Sequence, residues 1–290
     1  MDVTNDVIVP DIPDKSDTEG DNSKEMRMRS VQDKIVVMEI GVYLDRLFLE
    51  KINESLGLST TQQLTDLVTL KWSGVYALLS NPLVVGWNIT IKVVHLEIWR
   101  ESPSWYNETV NNLGGRMDMI CRSTTDKPFD HIFLETANTP GSTVGLSWLG
   151  TMCNPRWRCS IGKGVNLNSW IEAHETGHSM GLNHDNTFTT CDPNVTSGFM
   201  SMKETIFRDC YGPVLDSSLS SKTCLFEENV DNSMYNRVNN IAPLYRGQLL
   251  GLDGQCKLVN GEGSSTSIVH RLTFVIGLPV YKNRQLEKSL

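Results

Sequence analysis

Cysteine is missing from the first 120 of the 290 residues, and none of the seven cysteines, at 121, 153, 159, 191, 210, 224 and 256, forms a CxxC pair. That spacing fits poorly with a cysteine-ligated zinc ribbon and better with long-range disulfides, which belong to an oxidising compartment. Basic charge is also short: 26 Lys and Arg face 34 Asp and Glu, a formal net charge of −8, so no basic face is offered to nucleic-acid phosphates. No run approaches the roughly 20 apolar residues that span a bilayer. The most apolar stretch, Ile268 to Tyr281, is short and broken by Arg271 and Pro279. The opening MDVTNDVIVPDIPDKSDTEG is acidic and lacks the basic start and apolar core of a signal peptide, so a secreted chain is expected here as a fragment. There is no internal repeat.

What remains is ordinary for a folded domain, with 39% hydrophobic and 21% charged residues. Residues 1–30 are rich in Asp, Ser, Lys and Glu and bury too little apolar surface to order themselves, so they read as a disordered linker or propeptide remnant. From Lys34 the text changes to KIVVMEIGVYL, a β-branched strand pattern, followed by Asp45 where a helix would begin. A second helix is expected through TQQLTDLVTLKWSGVYALLS, stopping before Asn81-Pro82. WNITIKVVHLEIW and DHIFLET read as strands, and the alternation predicts an α/β domain. Four sequons, at Asn53, Asn88, Asn107 and Asn194, agree with secretion.

The chemistry concentrates in His174-Glu175-Thr176-Gly177-His178-Ser179-Met180-Gly181-Leu182-Asn183-His184-Asp185. On a helix, His174 and His178 stand one turn apart on one face, so two imidazoles can reach one metal. Glu175 lies beside them, able to polarise a water on that metal. Gly181 permits the turn that swings His184 back as third ligand. Three nitrogen ligands leave a position open, as catalytic zinc requires, and no further Cys or His sits nearby to close it. HExxH alone arises by chance, but three of the chain's six histidines within eleven residues at these offsets do not suggest coincidence. His95, His131 and His270 lack comparable partners. Sixteen residues past His184, Gly198-Phe199-Met200-Ser201 offers a methionine turn, with Met200 favoured over Met202.

These residues resemble the metzincin peptidases of the adamalysin or reprolysin type, the ADAM, ADAMTS and venom metalloprotease group. The likeness runs from about Lys34 to Glu228 and includes FDHIFLET, TVGLSWLGTMCNPRWRCSIG, the zinc motif with Asp185, the methionine turn and Lys222-Thr223-Cys224-Leu225. It implies an α/β metzincin fold: a central mixed β-sheet, an active-site helix, a Met-turn, and a cleft along the edge strand where peptides add as a strand. It implies a metallopeptidase domain over 31–228, then a partial disintegrin-like segment and divergent tail over 229–290. The pairings implied are Cys121 with Cys159, Cys153 with Cys224, and Cys191 with Cys210, leaving Cys256 odd.

The resemblance further implies catalytic zinc on His174, His178 and His184, and structural calcium on Glu39, Asp130, the Cys224 carbonyl and Glu227; oxygen ligands suit calcium. Glu175 would serve as base and then acid in peptide hydrolysis. The implied partners are protein substrates, extracellular matrix proteins among them, and the implied location is extracellular. The alternative is a matrix- or cell-surface-binding protein that keeps the scaffold without turnover.

Overall fold

The structure, a computed structural model, describes residues 7–8, 34–79, 86–138, 141–165, 169–187, 198–201 and 207–231. Its centre is a mixed sheet of six strands: β1 (Val7–Ile8), β2 (Ile35–Leu44), β3 (Asn88–Ile98), β4 (His131–Glu135), β5 (Gly145–Trp148) and β6 (Cys159–Gly162). Their order is β1-β5-β6-β4-β2-β3. Strands β3, β2, β4 and β6 run parallel, whereas β5 is antiparallel to β6. Beyond β5, the two-residue β1 pairs in parallel, Val7 with Ser147 and Ile8 with Trp148. The segment expected as a linker thus contributes this short strand, and the rest of 1–30 lies outside the described residues.

Among the described residues five α-helices cover the sheet: α1 (Arg46–Leu56), α2 (Thr61–Leu79), α3 (Leu113–Ser123), α4 (Trp170–Ser179) and α5 (Tyr211–Leu219). The start of α1 is set by Asp45, whose side chain accepts from the Phe48 N–H at 2.8 Å, and its end by Gly57 at φ 68. Alternation along the strands divides the core in two. Val36, Met38, Ile40 and Val42 of β2 and Phe133 of β4 pack with side chains from α1, α2, α4 and α5. Tyr43, Ile132 and Leu134 face the other way, onto Leu113, Met117 and Ile120 of α3. No helix among the described residues is long and apolar enough to cross a membrane.

Candidate metal centre and active site

Helix α4 carries His174, Glu175 and His178, all fully buried between the sheet and the turn at Phe199–Ser201. Its C-terminus closes as a Schellman motif: the Gly181 N–H donates to the His178 carbonyl at 2.8 Å and the Leu182 N–H to the Gly177 carbonyl at 2.9 Å. Gly181 stands at φ 106, which strains any L side chain. The reversal brings His184 back toward the helix, so that ligand atoms of His174, His178 and His184 lie within 4.8 Å of one another.

Backbone carbonyls hold the first two rings. His174 Nδ1 donates to the Phe199 carbonyl at 3.0 Å and His178 Nδ1 to the Leu182 carbonyl at 2.6 Å. A carbonyl oxygen only accepts, so each Nδ1 carries the hydrogen, and each ring in its neutral, metal-binding form presents an Nε2 lone pair. Those two Nε2 atoms face each other at 3.0 Å. Two lone pairs so close repel unless a cation lies between them. Nitrogens about 2.1 Å from a tetrahedral zinc would stand roughly 3.4 Å apart, so the donor set fits that ion.

The neighbouring chain is built to this arrangement. A Cβ at Gly177 would sit 2.6 Å from Met200 Sδ, so the glycine admits the methionine beneath the helix. Asp185 accepts from the Gly198 N–H at 2.9 Å and from the Tyr211 hydroxyl, tying the residue after His184 to the methionine turn and to α5. A Cβ at Gly145 would overlap the Glu175 carboxylate, so β5 lies directly against the candidate base. Three buried hydroxyls, those of Ser147 on β5, Ser160 on β6 and Ser179 on α4, bond one another at 2.7, 2.8 and 3.2 Å. They fasten β5 to the helix. No sequence pattern marked them, because three serines spread over three elements have no spacing to read.

The candidate calcium residues are gathered only in part. Glu39 and Asp130 are both buried, and the Glu39 N–H donates to Asp130 Oδ2 at 2.8 Å. Glu39 Oε2 accepts from the N–H groups of Asn229 and Val230 at 2.8 and 3.2 Å, bringing the segment after Cys224 to this end of the sheet. Asp130 Oδ1 is buried with no hydrogen-bond partner among the described residues. Burial, helped by the Glu39 charge, pushes the Asp130 carboxyl up to about 7. An orphaned carboxylate oxygen suits a hard cation, but the Glu227 side chain is exposed. The two sulfurs beside Asp130, from Cys153 and Cys224, are joined to each other and offer such an ion nothing.

Cys121 is likewise joined to Cys159, stapling α3 to β6. Cys210 is disulfide-bonded, while its expected partner Cys191, together with Met202 and Cys256, lies outside the described residues.

The model of metallo-peptidase family M12 (Reprolysin_5) matches residues 37–207. A disintegrin and metalloproteinase with thrombospondin motifs adt-1 of Caenorhabditis elegans is 28% identical over 195 residues, 60% of this chain and 13% of that protein. A disintegrin and metalloproteinase with thrombospondin motifs 19 of Homo sapiens is 30% identical over 135 residues, 43% of this chain and 11% of that protein. The chain therefore spans a small part of these relatives' length. With the family matched across the sheet, the three histidines and the methionine turn, the chain belongs to the M12 metallopeptidases, as a metalloprotease of the adamalysin or reprolysin type.

Proposed function

We propose that this chain is a secreted zinc endopeptidase acting on protein substrates, with His174, His178 and His184 as the metal ligands and Glu175 as the proton-transfer group. The observation that carries the reading is the pair of facing Nε2 lone pairs, each fixed by a carbonyl on its Nδ1, with Glu175 buried beside them against β5. When bound, zinc supplies a Lewis acid that polarises the scissile carbonyl and eases deprotonation of water. A peptide lying along β5 at Gly145, clear of Ser147 and Trp148 where β1 pairs, brings its carbonyl to Glu175. The Glu175 carboxylate takes the proton of the attacking water and returns it to the leaving amine, so one group serves as base and then acid and no acyl-enzyme forms. Met200 packs under the helix as the Met-turn residue, and the fastening of β5 to α4 through Ser147, Ser160 and Ser179 keeps substrate edge and base in register.

Extracellular location is supported by the disulfides, which persist where thiols are oxidised, and by exposed sequons at Asn53, Asn88 and Asn107; Asn194 lies outside the described residues. Structural calcium at Glu39 and Asp130, with the Cys224 carbonyl and Glu227 completing the site on ordering, belongs to the same reading. So does a peptidase domain bounded at 31–228.

The test compares Glu175→Gln with His178→Ala on one preparation each, measuring peptide hydrolysis, zinc content and circular dichroism. Glu175→Gln should keep zinc and fold and lose about 100- to 10,000-fold in rate. His178→Ala should lose zinc and activity together. A folded, zinc-loaded Glu175→Gln protein that cleaves at the wild-type rate refutes the mechanism. The rival reading, a binding protein on this scaffold, predicts no turnover by the zinc-loaded wild type.

A further inference from the structure

A lysine sits where the helix pattern of α2 calls for an apolar side chain. Lys71 is 1% exposed, in a turn where Leu70, Trp72 and Ser73 are also buried. Its ammonium reaches three elements at once. It pairs with Glu172 in the first turn of α4, with Glu135 at the end of β4 at 3.2 Å, and donates to the Gly164 carbonyl, in the connection from β6 to α4, at 2.6 Å. The Glu135 and Glu172 carboxyls thus share one ammonium. Burial holds the Glu135 carboxyl well above the ordinary carboxylate range. Lys71, Glu135 and Glu172 make one buried ionic cluster.

Its position matters more than its charge. Helix α4 is ten residues long, and Ser169 at its N-cap makes no side-chain capping bond. Polar contacts to the side chains of the first turn come instead through Glu172. At about 100° per residue, Glu172 lies roughly 160° around the helix from His174 and 120° from His178, on the side away from the metal ligands. The surroundings leave no slack: a Cβ at Gly164 would overlap the Glu135 carboxylate, and one at Gly74 of α2 would overlap Ser169.

We propose that Lys71 is a positioning residue for the metal centre: its three-way tie to Glu172, Glu135 and the Gly164 carbonyl sets the rotation and depth of α4, so that His174, Glu175 and His178 converge. The activity arm of this proposal rests on the zinc-peptidase reading; the metal-binding arm does not. Lys71→Met alone leaves two buried carboxyls without their cation and is a poor test, because it can simply unfold. The informative variant is Lys71→Met with Glu135→Leu and Glu172→Ile, since replacing a whole buried ionic cluster by apolar groups of similar volume often preserves stability.

In the full chain, that triple variant should melt at or above the wild-type temperature yet bind zinc about 10-fold or more weakly, with a changed visible spectrum when loaded with Co²⁺. Its kcat should fall about 10- to 100-fold with KM within about twofold, as a small misplacement of catalytic groups predicts. Glu172→Gln still accepts from Lys71 and leaves the Lys71–Glu135 pair in place, and should keep wild-type zinc affinity and Co²⁺ spectrum. A folded triple variant with wild-type zinc affinity, Co²⁺ spectrum and kcat overturns the proposal. If the wild type hydrolyses no peptide while zinc affinity and spectrum still respond as stated, the peptidase reading fails and the positioning role stands.

Discussion

Gly177→Ala sets helix propensity directly against packing at the metal centre. In the interior of an exposed helix, alanine in place of glycine stabilises by about 1 kcal/mol. At Gly177 the new Cβ would lie 2.6 Å from Met200 Sδ and 2.9 Å from Phe199 Cε2. Ordinary carbon contacts are about 3.5–4.0 Å, so the methionine turn must retreat by roughly 1 Å. Overpacking of that kind costs about 1–3 kcal/mol. The turn also holds His174 through the Phe199 carbonyl at 3.0 Å, a bond whose loss costs about 1 kcal/mol more. Packing therefore wins, and the substitution should destabilise the zinc-free protein by about 1–3 kcal/mol net and weaken zinc binding about 10-fold. Urea unfolding after zinc removal with phenanthroline reads the first quantity, and chelator competition reads the second. Adding Met200→Ala removes the obstructing side chain and should return part of the stability while leaving a looser metal site. A Gly177→Ala protein as stable as the parent, with unchanged zinc affinity, refutes the account of why glycine occupies this turn of the helix.

Two further perturbations follow from the staples and the buried carboxylates. Replacing both Cys121 and Cys159 by alanine releases a constraint spanning 38 residues and should cost about 4 kcal/mol on loop entropy, measured by reversible urea unfolding; a loss under about 1 kcal/mol would show the bridge to be compensated by strain. Saturating calcium should raise the melting temperature of the wild type, with about 2.7 kcal/mol gained at a hundredfold excess over Kd, and leave Asp130→Asn unmoved. Equal shifts in both proteins, or none in either, would remove Asp130 from any calcium site.

How far the sequence discloses such a molecule depends on how local each signal is. The metal motif is local: the spacing of His174 and His178 follows from one helical turn, and Gly181 marks the reversal that the Schellman geometry needs. Asp45 likewise marked the start of α1, because an N-cap acts within three residues of itself. Helix α3 is hard to read in the sequence although Leu113, Met117, Ile120 and Cys121 recur at helical spacing, because Gly114 and Gly115 at its start weaken the local preference. Strands β5 and β6, four residues each, are too short for alternation to separate from noise, and the family resemblance covers their residues without marking them as strands. The Lys71 cluster is the hardest case, since its members are tolerable only together and arrive from α2, β4 and α4. Read alone, Lys71 is a solvated side chain and Glu172 an ordinary first-turn acid. Yet a charge at an otherwise buried helical position has only two physical outcomes: it spoils the apolar stripe, or distant opposite charges complete it. In a chain that folds, such a misfit in the pattern is itself the sign of a nonlocal pair, and the residue most worth tracing to its partners is the one the local pattern cannot explain.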